Sequence, residues 1–319
     1  MSSPPSPGVY VPAILFFTPE EELDVPAIQA HIHRLARGGV TGILVQGSNG
    51  EAQHLSREER KAAIRLTRDT LDAYGFQNTV VIAGTGAQST RETKLFNADA
   101  AEAGASHALI LTPSTWRPVM SKEHISRFHR EASVADASPI PTMIYNFPVV
   151  TAGLDLDSDT IDELGRHPNI VGTKLSCGHL GKLTRLVTSS NLAPGSFATF
   201  IGRSDSFLPA LFMGGAGGIM AAANIAPKAH HALLSAYKAG DLDQARLIQR
   251  MLSQTDGLLG KYGGIGFIKA VVAKEFGYGG PTVRGPLLES SVDKLNEADG
   301  AILSELIAFE KLLSNVTGS

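Results

Sequence analysis

Eight short apolar runs alternate with segments of helical period along most of the chain, and that alternation narrows the fold more than any single motif does. The runs are "VYVPAILFF", "TGILVQG", "TVVIAGT", "HALILTP", "IPTMIYNF", "IVGTKLS", "FATFIG" and "GGIMAA". Most are rich in β-branched or aromatic residues and are bounded by Gly, Pro, Ser or Asn, the pattern of buried strands. Between them, stretches such as "DVPAIQAHIHRLARGG", "SREERKAAIRLTRDTLDAYG" and "TRETKLFNADAAEAG" carry apolar residues at helical spacing. Gly38, Gly75 and Gly104 stand near the C-terminal stop positions, and Ser56 and Glu59 form a capping box at the start of the second helix. Strict repetition of eight strand-helix units predicts an α/β fold, a (β/α)8 TIM barrel, rather than an open doubly wound sheet. After Gly240 only helical periodicity remains, in "DLDQARLIQRMLSQTDGLLGKY", "GFIKAVVAKEFG" and "VDKLNEADGAILSELIAFEKLL". The predicted organisation is a flexible tail over residues 1–8, the barrel over 9–240 and a C-terminal helical extension over 241–319.

Composition bounds the partners. A formal net charge of -3, with no long Lys/Arg stripe, gives no electrostatic footprint for nucleic acid or an anionic membrane. No run approaches the roughly 18 apolar residues of a membrane-spanning helix. The single cysteine, Cys177, can form no internal disulfide and no thiolate cluster, which fits a reducing compartment. The opening "MSSPPSPG" lacks both a basic stretch followed by an apolar one and an Arg-rich character, so a cytoplasmic location is expected. A small-molecule partner is the expectation that remains.

The segment "NIVGTKLSCG", residues 169–178, places a lysine in a run that otherwise reads as a buried strand. Strand alternation puts Ile170, Gly172, Lys174 and Ser176 on one face and Val171, Thr173 and Leu175 on the other. Lysine is almost never fully buried without a partner or a chemical purpose. In an apolar pocket the free amine is favoured, and a free amine attacks a ketone to give a carbinolamine and then an imine. The protonated imine is an electron sink for breaking or making the adjacent carbon–carbon bond, so no metal or organic cofactor is called for. Tyr145, in "IYNFP" at the end of the fifth run, is placed to relay protons. Ser48 and Asn49, in the glycine-flanked "GSNGE" after the second run, offer donors for the carboxylate of a 2-oxo acid without a full positive charge beside the lysine. In a barrel all three positions fall at the C-terminal ends of strands, where active sites lie.

The order and separation of "GSNGE", "YNFP" and "GTK" resemble the dihydrodipicolinate synthase and N-acetylneuraminate lyase family of class I aldolases, through nearly the whole chain. The resemblance implies that Lys174 forms the Schiff base, Tyr145 relays protons, and Ser48 and Asn49 bind the carboxylate of pyruvate. It also implies a homotetramer built as a dimer of dimers. Two departures bear on substrate. Synthases follow "YNVP" with "SRTG", whose arginine holds a substrate carboxylate, and this chain has Val150 there. They also carry a tyrosine pair after the fourth strand that reaches across a subunit interface, where this chain has Ser114 and Thr115, followed by Trp116. "GLDLDSDTIDEL", "HPNIVGTK" and "FGYGGPTVRGPL" are more similar to the 4-hydroxy-2-oxoglutarate aldolases and fungal 2-keto-3-deoxy sugar-acid aldolases. That branch implies a site role for Ser176 and pocket-lining backbone at Gly202 and Ile219. The expected activity is cleavage of a 4-hydroxy-2-oxo acid to pyruvate and an aldehyde. The alternatives are a synthase-type condensation of pyruvate with an aldehyde and a 2-oxo-acid-binding paralogue without turnover.

Other features read as structural. Cys177 has no positioned His or Asn partner. His31 and His33 are two apart on a helix, and His230 and His231 adjacent, so neither is a metal pair. The run "MGGAGGIM", residues 213–220, lacks the context of a nucleotide cradle and reads as close helix-strand packing. Glu51 reads as a loop-stabilising carboxylate.

Overall fold

The computed structural model describes residues 2–133 and 137–315. Eight parallel strands close into a barrel in sequence order, with β8 paired to β1. In chain order the elements are β1 Gly8–Pro12, α1 Val25–Arg37, β2 Gly42–Val45, α2 Arg57–Ala73, β3 Val80–Gly84, α3 Thr90–Glu102, β4 His107–Leu111 and α4 Lys122–Ser133. They continue with β5 Thr142–Asn146, α5 Ser158–Gly165, β6 Ile170–Leu175, α6 Leu180–Val187, β7 Ala198–Ile201, α7 Phe207–Phe212, β8 Gly217–Ile219 and α8 Pro227–Ala239. Three further helices, α9 Leu242–Lys261, α10 Ile265–Phe276 and α11 Glu297–Leu312, follow the last barrel unit. This is the (β/α)8 barrel with C-terminal helices that the alternation predicts.

Local signals set the helix ends. Ser56 Oγ accepts from the Glu59 amide, and the Glu59 carboxylate accepts in return from the Ser56 amide at 2.7 Å, so two orphan donors at the start of α2 are satisfied. A cap of this kind contributes on the order of 1 kcal/mol. The side chains of Asp24, Ser89, Asp157 and Asn296 each accept one amide at the start of α1, α3, α5 and α11, without the reciprocal bond.

Two apolar layers form. Tyr10, Leu44, Ile82, Leu109, Met143, Phe200 and Ile219 fill the barrel interior, while the larger cluster lies between the strands' outer faces and the helices. The glycines before and in β8 serve close approach. Gly217 has φ 139°, and a Cβ there would lie 1.9 Å from the Gly8 carbonyl oxygen across the β1–β8 seam. The run "MGGAGGIM" thus spans the turn before β8 and β8 itself.

Three expectations change. The first strand ends at Pro12, and Ala13–Phe17 continue as buried non-strand chain, with the Ile14 amide donating to Asn224 Oδ1 at 3.1 Å. Gly8, assigned to the tail, opens β1. Ahead of it, Ser2 Oγ donates to Asn169 Oδ1 at 2.8 Å, and the Ser3 carbonyl lies 3.0 Å from His107 Nε2. The third change is on β6, where the register with β5 slips between Thr142 and Met143. Ile170 consequently joins the outer cluster and Val171 the inner one, against strict alternation, while Gly172 and Lys174 keep the inward face.

Candidate active site

Lys174 and Tyr145 are direct partners in the β5–β6 register. Both are buried, and the Lys174 amine nitrogen sits 4.4 Å from the centroid of the Tyr145 ring. Among the described residues three lysines are almost fully buried, with Lys174 and Lys182 at 3% exposure and Lys269 at 0%. Lys182 pairs with Asp155, and Lys269 with Glu51. Among the described residues no carboxylate lies within ion-pair distance of Lys174. Burial without an acid partner sets Lys174 apart from the two paired lysines.

A cavity of about 280 Å3 opens at the C-terminal ends of β2 to β5. Ser48, Tyr145, Leu111, Ser114 and Val150 line it, and Ile265 and Leu287 of the C-terminal region close one side. Ser48 and Tyr145 thus share one space, and Lys174 adjoins it through the Tyr145 ring. Asn49 follows Ser48 in the single 3-10 turn Ser48–Gly50 and is half-buried, outside the cavity lining.

Ser176 and Gly202 are brought together one strand further on. The Gly202 amide donates to the Leu175 carbonyl at 2.9 Å, and the Ser176 amide to the Asn146 carbonyl at 3.0 Å. Ser176 is thereby fixed at the end of the Lys174 strand, beside the strand that carries Tyr145. Ile219 is wholly buried in the barrel interior beside Tyr10 in the β1–β8 register, and Ser176, Gly202 and Ile219 all lie outside the cavity lining.

The segment after Tyr145 is ordered by a polar network. Asn146 Nδ2 donates to Asp155 Oδ1 at 2.7 Å, the Leu156 amide donates to Asn146 Oδ1 at 3.0 Å, and the buried Lys182 amine binds the same Asp155 oxygen. Burial alone would raise the Asp155 carboxyl, but the hydrogen bonds from Lys182 and Asn146 win and hold it below the usual carboxylate range. Val149 and Val150 project from this segment, at 83% and 42% exposure.

Several site-forming residues escaped the sequence reading. Gln88 Oε1 accepts from the Ser114 amide at 2.9 Å, the Thr115 amide at 2.9 Å and the Thr115 hydroxyl at 2.8 Å, and so fixes the segment that replaces a tyrosine pair. "GAQST" carries no signal for this. Arg60 lies buried in the cavity wall and donates to the Ala52 and Gly84 carbonyls at 2.6 and 2.8 Å. Burial pulls its guanidinium down to about 10. Lys269 did carry a signal, because it interrupts the apolar stretch Phe267–Val272 of α10. Its partner, Glu51, lies on the loop that holds Ser48 and Asn49.

Comparison with known proteins agrees with this architecture. Residues 6–305 match the model of the dihydrodipicolinate synthetase family. A probable mitochondrial 4-hydroxy-2-oxoglutarate aldolase of Emericella nidulans is 45% identical over 311 residues, 97% of each chain. The L-threo-3-deoxy-hexylosonate aldolase of Hypocrea jecorina is 41% identical over 88% of this chain and 90% of its own. Among solved structures, YagE of Escherichia coli K12, a family member in complex with pyruvate, superposes with a TM-score of 0.84 at 29% identity, covering 96% of this chain and 99% of that one. The cytoplasmic expectation is overturned here, since the Emericella nidulans relative is named as mitochondrial. The sign that failed was the lack of an Arg-rich, amphipathic opening, a statistical mark of import rather than a physical requirement of the fold. By the extent of the family match and the identity to these relatives, the chain belongs to the dihydrodipicolinate synthetase family, whose members similar to it include lyases of the aldolase type.

Proposed function

We propose that the protein is a Schiff-base aldolase that cleaves a 4-hydroxy-2-oxo acid, such as 4-hydroxy-2-oxoglutarate or a 2-keto-3-deoxy sugar acid, to pyruvate and an aldehyde. The observation that carries the reading is Lys174, buried without an acid partner at a strand end, with its amine on the ring of Tyr145. The names of the relatives, a 4-hydroxy-2-oxoglutarate aldolase and a 3-deoxy-hexylosonate aldolase, support the substrate class.

In the proposed cycle the Lys174 amine attacks the C2 carbonyl, and loss of water from the carbinolamine leaves a protonated imine. Tyr145 shuttles the protons of these steps and takes the proton of the C4 hydroxyl. As that proton leaves, the C3–C4 bond breaks, C4 departs as the aldehyde carbonyl, and the bonding pair moves through C3 into the imine to give an enamine. Protonation at C3 and hydrolysis then release pyruvate and restore the amine. Ser48 and Asn49 hold the C1 carboxylate from the β2 loop, and the Ser176 hydroxyl faces the substrate from the strand of the lysine. The imine itself is the electron sink, so the cycle uses neither a metal nor an organic cofactor. The working assembly is a homotetramer. A synthase-type condensation is disfavoured by Val150, which lines the cavity with an apolar side chain where the synthases carry an arginine.

Borohydride reduction in saturating pyruvate tests the reading. Inactivation with a reduced pyruvyl mass at Lys174 is expected, and the Lys174→Ala variant should take up none. A parent protein without the adduct would overturn it. Pyruvate release compared between 4-hydroxy-2-oxoglutarate and 2-keto-3-deoxy sugar acids then decides the substrate.

A further inference from the structure

We propose that Lys269 is a positioning residue for the Ser48–Asn49 loop, acting through the buried carboxylate of Glu51, so that the C-terminal helices complete the site. The inference rests on the reading of Ser48 and Asn49 as carboxylate holders.

The loop has little of its own to fix it. Within Gly47–Glu51 two backbone bonds form, Gly50 to the Gly47 carbonyl at 3.0 Å and Glu51 to the Ser48 carbonyl at 3.1 Å. Glu51 then takes a left-handed backbone, φ 52° and ψ 38°, which is unfavourable for a residue other than glycine and persists only when its surroundings hold it. What holds it is on the side chain. Lys269 Nζ donates to Glu51 Oε1 at 2.5 Å, and the Arg284 amide donates to Oε2 at 2.9 Å, with His54 Nδ1 3.3 Å from the same oxygen.

Lys269 is held in turn. Its amine also donates to the Thr282 carbonyl at 2.7 Å and lies 4.4 Å from the centroid of the Phe17 ring. The Arg284 guanidinium packs on the same ring at 4.5 Å and donates to the His54 carbonyl at 2.8 Å, beyond the loop. Both side chains of the Lys269–Glu51 pair have no solvent exposure. A charge pair so enclosed is maintained at high desolvation cost, and its geometric consequence is that one turn of the β2 loop is locked to α10 and to the chain segment around residues 282–284. Any slack in that lock moves Ser48 and Asn49 relative to Lys174, and misplacement by about 1 Å can cost on the order of a hundredfold in rate.

The test uses the full-length Glu51→Gln/Lys269→Met double variant, which removes the pair without leaving a lone buried charge, beside Lys274→Met, which loses only an exposed pair on the same helix. The first readout needs no substrate. Hydrogen exchange of amides 47–54 should accelerate at least tenfold in the double variant, with the strands unchanged and Lys274→Met like the parent. The second is borohydride trapping against pyruvate concentration. Half-saturation should rise on the order of ten- to a hundredfold, while the adduct at saturation still forms at Lys174. Parental exchange in residues 47–54, or parental half-saturation, would overturn the proposal. If the parent protein traps no pyruvate, the aldolase reading falls and the exchange measurement alone decides the role of Lys269.

Discussion

A methyl group on Gly202 would stand 2.2 Å from the hydroxyl oxygen of Ser176 and 2.7 Å from its Cα. Contacts that short cannot be relieved by a rotamer change, because the backbone at Ser176, one residue past β6, is itself in the way. Gly202→Ala is therefore expected to push Ser176 out of position at a stability cost of about 1–3 kcal/mol, and to lower kcat/KM for aldol cleavage by on the order of a hundredfold. Steady-state kinetics alongside thermal unfolding checks this. Activity within twofold of the parent would show that the placement of Ser176 is immaterial.

The three buried lysines predict an order of stabilities. Lys174→Met removes an amine without an acid partner and replaces it with a side chain of similar volume, so its melting temperature should equal or exceed the parent's. Lys182→Met leaves Asp155, whose side chain is 46% exposed and can be hydrated, and should be mildly destabilised. Lys269→Met strands the Glu51 carboxylate with no solvent exposure, at a cost of about 3–5 kcal/mol. Calorimetry of the three variants reads the order directly. A Lys174 variant less stable than the Lys269 variant would contradict the assignment of roles.

What was legible in the sequence had a periodic cause. Eight strand-helix units repeat, and a lysine inside an apolar strand stands out because burying an amine needs a reason. Lys269 presents the same anomaly within a helix, yet its partner lies 218 residues away in the chain, and no local pattern links the two. The swap of faces between Ile170 and Val171 is invisible for another reason. A register slip between neighbouring strands leaves the sequence alternation intact while the geometry departs from it. Ala13–Phe17 are apolar enough for a strand, but burial is all that apolarity specifies. Beyond Ala13, whose amide still donates to the Leu44 carbonyl of β2, the backbone finds partners such as Asn224 and an isolated bridge to Leu23 instead of the barrel ladder. Ile219 is expected to contribute its backbone, and its side chain packs in the barrel interior beside Tyr10.

Among the described residues, the almost fully enclosed histidines His31, His129 and His230 make the fold sensitive to acid. Burial depresses His129 and His230 to about 4, and burial together with the Arg34 charge depresses His31 to about 3, against an ordinary value of 6.5. A depressed base stabilises the fold fully above its unfolded value and loses that contribution as pH falls. Stability should therefore decline from pH 6.5 toward 4, as the unfolded chain takes up protons that the native one refuses. His129→Gln should flatten part of that decline in denaturant titrations across this range. An unchanged slope would mean that His129 is protonated in the native protein.

Glu310 works in the opposite direction. It sits on α11, and its carboxylate accepts from the Lys228 and Ala229 amides at 3.2 and 2.9 Å, at the start of α8. Burial outweighs those hydrogen bonds and raises the carboxyl to about 7 from an ordinary 4.5. The folded protein thus retains a proton that the unfolded chain releases as pH rises past 4.5. The group's contribution is complete below that value and is lost as pH climbs through 7, by about 3 kcal/mol in all. Glu310→Gln keeps an acceptor for one amide but cannot ionise. Relative to the parent it should gain stability steadily from pH 4.5 to 7 and then level off, as followed by thermal unfolding with a probe on α11. A constant offset between the two proteins across that window would place Glu310 ionised in the native state, with the α8 amides holding its charge.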